Sequence, residues 1–144
     1  MAQSAYSLPA CKLSANTHDL LGLRFKLKVG REPIVRKGRD VDYSSYALGF
    51  GRKKNRAWLN GIFGPNSTSG QVPREWLSAS AEVNQRTWKF ANLDGVDAKG
   101  KLANGNYWRY FGMFGESIQY YNVPPEAAAY FDRVIDSVCF MDAN

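Results

Sequence analysis

The residues with the clearest chemical potential in this sequence are basic side chains concentrated in its first half. Residues 1–56 hold 12 Lys or Arg against 4 Asp or Glu, whereas residues 57–144 hold 7 against 9. The cations fall into three groups: Arg31, Arg36, Lys37 and Arg39; Lys53, Lys54 and Arg56; and Arg24, Lys26 and Lys28. Cations interleaved with aromatic residues favour an anionic partner, nucleic acid included. A solvated cationic surface that keeps the protein soluble is the more common reason for such charge.

The spacing of these cations along the chain bears on whether they can act together. Residues 30–42 and 51–56 are predicted as connections, joined by one strand over residues 43–50. Successive connections of a simple meander lie at opposite ends of the sheet, so we expect the first two groups to be a strand length apart. Lys26 and Lys28 belong to the polar face of an alternating strand over residues 24–29.

Nucleophilic and metal chemistry find little support in the residue types. His18 is the sole histidine and is expected on the surface, and Cys11 and Cys139 are the only cysteines. The sequence leaves two alternatives open for the cysteines: a disulfide that closes almost the whole chain, or two buried thiols. Neither a zinc site nor a phosphate-binding glycine loop can be built, and we expect no cofactor.

The carboxylates have two possible roles in this sequence, as an ion-pair partner of Arg109 and as an acid–base pair for catalysis. Asp94-Gly95 is a turn signal, so Asp94 and Asp97 are predicted to lie in a hairpin loop, bonded to their own backbone. Arg109 follows Trp108 inside an apolar strand and must find a partner, either a structural ion pair or a ligand contact. Glu82, Glu116 and Asp97 are the carboxylates considered for it. An enzyme would need an acid–base pair such as Glu116 with Asp97.

The hydrophobic pattern predicts an α+β fold. Strands are expected over residues 24–29, 43–50, 57–63, 82–90, 96–102 and 107–114, with 118–121 continuing the last strand after a bend at Gly115. A single helical turn is expected at 73–77. Apolar residues recur at three- and four-residue spacing after Pro124-Pro125, which predicts an amphipathic C-terminal helix. The predicted architecture is an antiparallel meander of about five to seven strands with this helix packed on one face.

The poorly patterned residues 1–22 are expected to form an N-terminal arm on a single α+β domain over residues 23–144. No run approaches the ~20 apolar residues that a membrane-spanning helix needs. The start of the chain has no signal peptide pattern, but the small polar segment AQSAYS would suit a trimmed mature N-terminus. A secreted or periplasmic location is therefore expected, with a cytoplasmic one left open.

The order of features, ending in PPEAAAYFDRVIDSVCF, resembles the PsbP-like fold over residues 23–140. That group comprises extrinsic photosystem proteins, a nuclear-transport factor that binds a small GTPase, and bacterial lipoproteins and secreted proteins. The resemblance implies a non-enzymatic binding or assembly module, often outside the cytoplasm, and it assigns no functional residue here.

Three functions are therefore carried forward. The first is a non-catalytic binding module, secreted or periplasmic, for an unknown protein or an anionic partner. The second is a nucleic-acid-binding protein that uses the basic first half. The third is a small hydrolase with a carboxylate pair. The oligomeric state is left open.

Overall fold

The structure is a computed structural model, and it describes residues 5–11, 18–22, 24–30, 34–39 and 43–141. These residues are mostly sheet, with two α-helices among them, α1 (Arg74–Ser78) and α2 (Pro125–Asp136), and a short 3-10 helix at Lys53–Asn55. The strands are β1 (Tyr6–Ser7), β2 (His18–Leu21), β3 (Phe25–Val29), β4 (Val35–Arg39), β5 (Ser44–Phe50), β6 (Ala57–Phe63), β7 (Ser80–Phe90), β8 (Leu93–Leu102), β9 (Tyr107–Met113), β10 (Glu116–Val123) and β11 (Cys139–Phe140). No helix in the described ranges is long and apolar enough to cross a membrane.

The strands form two sheets, and the larger one is mixed. Its eight strands lie in the order β1-β7-β8-β9-β10-β6-β5-β4, and the smaller sheet has the order β11-β3-β2. The α+β class and the C-terminal helix packed on a sheet are confirmed. The purely antiparallel meander of five to seven strands is wrong, because β1 pairs in parallel with β7 and β3 belongs to a second sheet. β1 has only two residues, too few for any periodicity to be read.

An aromatic core fills the space between the large sheet and the layer formed by α2 and the small sheet. Phe25 of β3 lies 5.7 Å from Trp88, 5.4 Å from Phe111 and 5.6 Å from Phe140, each measured between ring centroids. Phe25, Leu27 and Val29 are buried, as the alternating pattern of that strand predicts. The cations between them therefore point away from this core, on the far side of the small sheet.

The chain reverses at Gly115, which corrects the predicted bend. β9 and β10 pair antiparallel from Met113↔Glu116 onward, so Phe114 and Gly115 form a tight hairpin turn. Gly115 has φ +91°, a left-handed backbone that glycine adopts without steric cost. The alternation of β9 is as expected, with Phe111 and Met113 on the helix side.

Two more predicted connections differ from the structure. Residues 35–39 were expected in a polar loop but form the edge strand β4, whose only neighbour in the sheet order is β5. Asp94-Gly95 was expected as a turn, but the chain turns at Ala91-Asn92 and Gly95 lies inside β8, opposite Trp88. A Cβ on Gly95 would lie 1.9 Å from the Trp88 ring, so this glycine makes room for the indole.

The opposite face of the large sheet is covered only over its middle strands. Trp76 of α1 packs against Trp108 at 5.6 Å and stacks on Tyr121 at 4.8 Å, measured between ring centroids. The Trp108 indole N–H donates to the Ser80 hydroxyl at 2.6 Å, so Trp108 is a core residue. This second, smaller core leaves the β4-β5-β6 part of the same face, called the outer face below, open among the described residues.

A disulfide joins Cys11 to Cys139, across 128 residues of sequence. Around it, Ala10 bridges Phe140, and the Cys11 N–H donates to the Phe140 carbonyl at 3.0 Å. Among the described residues of 1–22, β1 thus belongs to the large sheet and β2 to the small sheet. The division into an arm and a domain at residue 22 stays a prediction.

We predict that the double substitution Cys11→Ser/Cys139→Ser lowers the free energy of unfolding by about 5 kcal/mol, because the bridge restricts a very long loop in the unfolded chain. Guanidinium unfolding of the oxidised protein and the variant measures this difference. The variant should be unaffected by dithiothreitol, whereas the parent protein should lose most of the difference on reduction. Equal stability of parent and variant would contradict the prediction.

Candidate functional site

A buried ion pair lies on the helix side of the large sheet. The Arg109 guanidinium on β9 donates from Nε to Asp97 Oδ1 and from one terminal nitrogen to Asp97 Oδ2, both at 2.9 Å. Both side chains are 1 % exposed. Asp97 is one of the three carboxylates considered for Arg109 from the sequence, and it lies in β8 rather than in a loop. The geometry is the bidentate form, the strongest arrangement for an arginine–carboxylate pair.

The helix α2 supplies two further carboxylates to Arg109. Asp132 accepts from Arg109 at 3.2 Å and from the Tyr120 hydroxyl at 2.8 Å, and Asp136 accepts from Arg109 at 2.9 Å. The sequence places Asp132 and Asp136 off the apolar stripe of the helix, and their spacing of four residues puts them on one flank. That spacing is the only sequence signal that both carboxylates could bind Arg109. The same spacing is equally typical of a solvated helix face, so it could not identify them as partners.

Asp97 also links β8 to the two strands at this edge of the large sheet, β7 and β1. It accepts from Arg86 at 3.0 and 3.2 Å and from the Tyr6 hydroxyl at 3.0 Å. Burial by itself would raise the pKa of Asp97, but hydrogen bonds and charge from Arg109, with hydrogen bonds from Tyr6 and Arg86, hold it below its usual value. Asp97 is therefore a permanent anion of the folded protein at neutral pH.

Glu116 has a structural role of its own and does not meet Asp97. Its buried carboxylate accepts from the backbone N–H groups of Arg24, at 2.6 Å, and Phe25, at 3.1 Å, at the start of β3. Asp97 is aligned through Phe111 with Ile118, two strands away and two residues along from Glu116. The strand spacing alone separates the two backbones by about 10 Å. The structure thus does not bring this proposed acid–base pair together.

We predict that Asp97→Asn costs about 3–5 kcal/mol of stability, because it leaves the Arg109 charge buried without its main partner. Asp136→Asn is the matched control, since Asp136 also contacts Arg109 but its side chain is 57 % exposed. The control should cost about 1 kcal/mol or less. Urea unfolding measures both, and equal losses in the two variants would contradict the assignment of Asp97 as the dominant partner.

The lowered pKa of Asp97 predicts an acid-sensitive fold. The unfolded chain protonates Asp97 near pH 4 while the folded chain still holds it ionised, so the unfolded state binds more protons. Stability from this group is complete above about pH 4 and is lost as the pH falls through the folded value. The Asp97 carboxyl resonance, followed by NMR, should titrate below its usual range. Titration at or above that range would refute the prediction.

The basic residues divide between two sides of the molecule. Lys26 and Lys28 lie on β3, on the far side of the small sheet. Lys53 and Lys54 are exposed in the 3-10 helix, and Lys37 is exposed on β4. Arg31 and the side chain of Arg39 lie outside the described parts of the structure.

Arg36 and Arg56 meet on the outer face, which corrects the expectation that their groups are a strand length apart. The Arg36 guanidinium lies 4.5 Å from the Trp58 ring centroid, and that of Arg56 lies 5.8 Å from it. Both distances fall within the range of cation–π contacts. Arg36 is paired with Ala47 across the sheet, and Trp58 is paired with Gly49 one strand further on.

Small residues on β5 allow this arrangement. A Cβ on Gly49 would lie 2.6 Å from the Arg56 side chain and 3.0 Å from the Trp58 ring. The side chains from β4 and β6 therefore lie across β5 where it carries Ala47 and Gly49. The sequence indicates that this face leaves room for close packing, but it does not indicate which side chains use the room.

Two hollows lie on the outer face, one beside Arg36 and one beside Arg56. One, of about 470 Å³, is lined by residues that include Arg36, Ser45, Asn60 and Gln119. The other, of about 330 Å³, is lined by residues that include Arg56, Trp58, Asn60 and Tyr121. Neither lining contains an Asp or Glu, and no described carboxylate pairs with Arg36 or Arg56. Among the described residues, the outer face therefore offers donors to an anion and no carboxylate that would compete for them.

The structure adds no support for catalysis by cysteine or histidine or for metal binding by the described residues. Both cysteines are used in the disulfide. His18 lies in β2, and its side chain falls outside what the structure describes. Among the described residues no group of three or more His, Cys, Asp or Glu could hold a metal ion.

Comparison with known proteins gives this chain no relative: no family model, no curated protein and no solved structure matches it. The resemblance to the PsbP-like fold therefore stays a prediction.

Proposed function

We propose that this protein is a non-catalytic binding module that holds an anionic partner on the outer face of its large sheet. The observation that carries the proposal is the pair of guanidinium groups of Arg36 and Arg56 over Trp58, each lining a hollow in which the described residues include no carboxylate. Lys37 of β4 lines the same hollow as Arg36 and adds a further cation there.

Stacking on Trp58 prepares the Arg36 guanidinium for such a partner. A guanidinium that lies over an aromatic ring keeps its edge N–H groups available, and that planar fork matches carboxylate, sulfate or phosphate oxygens. The stack also restricts the long side chain before binding, so less rotamer entropy is lost on complex formation. Asn60 and Gln119, paired across β6 and β10, add amide groups at the floor.

The compartment we propose is secreted or periplasmic. The disulfide between Cys11 and Cys139 is compatible with an oxidising compartment, where such bridges persist. Membership of the PsbP-like group, whose relatives are often found outside the cytoplasm, is part of the same proposal.

Nucleic acid is the second candidate partner. The meeting of Arg36 and Arg56 at Trp58 removes the geometric objection to a basic face, and Tyr43 and Tyr121, each 40 % exposed, line the adjoining hollows. Bases of a single strand stack on aromatic side chains while cations follow the phosphates. The choice between this candidate and other polyanions depends on whether bases add affinity.

The test compares a sulfated polysaccharide, heparin, with a single-stranded oligonucleotide, each titrated by fluorescence anisotropy. The variant Arg36→Ala/Arg56→Ala should bind heparin about tenfold or more weakly, because two charge-assisted contacts are lost. Lys26→Ala/Lys28→Ala is the control, since it removes two charges from the other side of the molecule.

The outcomes separate the candidates. Heparin affinity that falls with salt, and that is lost in the arginine variant and not in the lysine variant, supports binding at the outer face. An oligonucleotide that binds more tightly than heparin, and that loses more affinity than heparin does with Trp58→Ala, favours nucleic acid. Equal losses in the arginine and lysine variants would mean diffuse charge attraction and would refute the proposed site.

A further inference from the structure

A separate cleft lies on the opposite face of the large sheet from Trp58. Helix α2 contacts β9, β10 and β3, and on the same side of the sheet residues 82–84 of β7 and 99–101 of β8 line an open space beside the helix. This space between the helix and the two strands is a cleft of about 500 Å³. That volume is in the range of small-molecule sites.

The residues of α2 and β9 make one side of the cleft apolar. Pro125, Ala128 and Ala129 form the helix wall, and their short side chains keep it set back from the strands. Tyr107 and Tyr120 lie below this wall. Ala129 is exposed, so the wall is open to an incoming ligand.

The strands make the other side polar. The pairs Asn84↔Lys99 and Glu82↔Lys101 face each other across β7 and β8, and all four residues line the cleft. Alternation along a strand puts residues two apart on the same face. A polar row therefore runs along the cleft, opposite the alanines of the helix.

The two lysines of this row differ in their surroundings. Lys99 Nζ lies 3.4 Å from Asp132, which belongs to the buried ion network. Lys101 Nζ lies 5.9 Å from the Tyr107 ring centroid, and no carboxylate of the described chain is within ion-pair distance of it, its cross-strand neighbour Glu82 included. Lys101 is thus the cation that a ligand can reach without breaking an existing ion pair.

We propose that this cleft binds a small, mainly apolar molecule that carries one anionic group, of the class of aromatic or aliphatic carboxylates and sulfonates. The apolar body lies against Ala128, Ala129 and Tyr107, and the anionic group lies at Lys101. The inference is independent of the function proposed for the outer face, which takes its partner on the other side of the sheet.

The probe for this site is 1-anilinonaphthalene-8-sulfonate, an aromatic anion, with N-phenyl-1-naphthylamine as its uncharged counterpart. The folded protein should bind the sulfonate saturably with one-to-one stoichiometry by calorimetry. Lys101→Gln should weaken the sulfonate roughly fivefold, the size of one partly exposed ion pair, and leave the uncharged probe unchanged. Lys28→Gln, which removes the same charge from the small sheet, should change neither.

A second pair of variants tests the apolar wall. Ala129→Phe should fill the cleft and weaken both probes at least tenfold, whereas Ala103→Phe, at an exposed alanine in the β8–β9 turn, should not. Arg36→Ala/Arg56→Ala should retain full affinity for both probes. Failure of the cleft proposal is therefore distinguishable from failure of the outer-face proposal. Absence of saturable binding, or sulfonate binding that neither Lys101→Gln nor Ala129→Phe weakens, would overturn the proposal.

Discussion

The interaction on which this structure depends is the buried pairing of Arg109 with Asp97. Two charges that are each 1 % exposed can be accommodated only if every hydrogen-bonding position is used. Asp132 and Asp136 of α2 accept the remaining hydrogen bonds of the Arg109 guanidinium. The need for these acceptors places the helix over β9, with the flank that carries the two carboxylates toward β8. Because the helix is committed to that side, it cannot cover the outer face of β4, β5 and β6.

The position of the helix thus produces two surfaces of different character. On the outer face, Arg36 and Arg56 line hollows whose described residues include no carboxylate, so the charge of these residues favours anions. On the helix side, the cleft beside α2 is lined by two lysines and two carboxylates, and of the two lysines Lys99 is paired with Asp132 while Lys101 has no ion pair among the described residues. The first surface suits an extended anionic partner, and the second suits a small molecule with a single charge.

The sequence predicts those parts of the fold whose residue pattern is compatible with only one kind of secondary structure. The strand over residues 57–63 and the helix after Pro124 follow from periodicity, and the structure has both. The reversal at Gly115 could not be distinguished from a bend, because the strands on both sides are apolar and no polar turn residue marks it. The meeting of Arg36 with Arg56 depends on side chains that cross the small residues of β5, which is a tertiary contact without a local signal.

The central claim, that the outer face around Trp58 receives an anionic partner, is tested most directly by mapping the contact on the protein itself. A two-dimensional NMR titration with a short heparin oligosaccharide follows the Trp58 indole and the Asn60 and Gln119 side-chain amides individually. The account predicts that these resonances shift together and saturate, while those of β3 stay in place. Shifts confined to β3, or spread over all lysine-bearing surfaces without saturation, would contradict it.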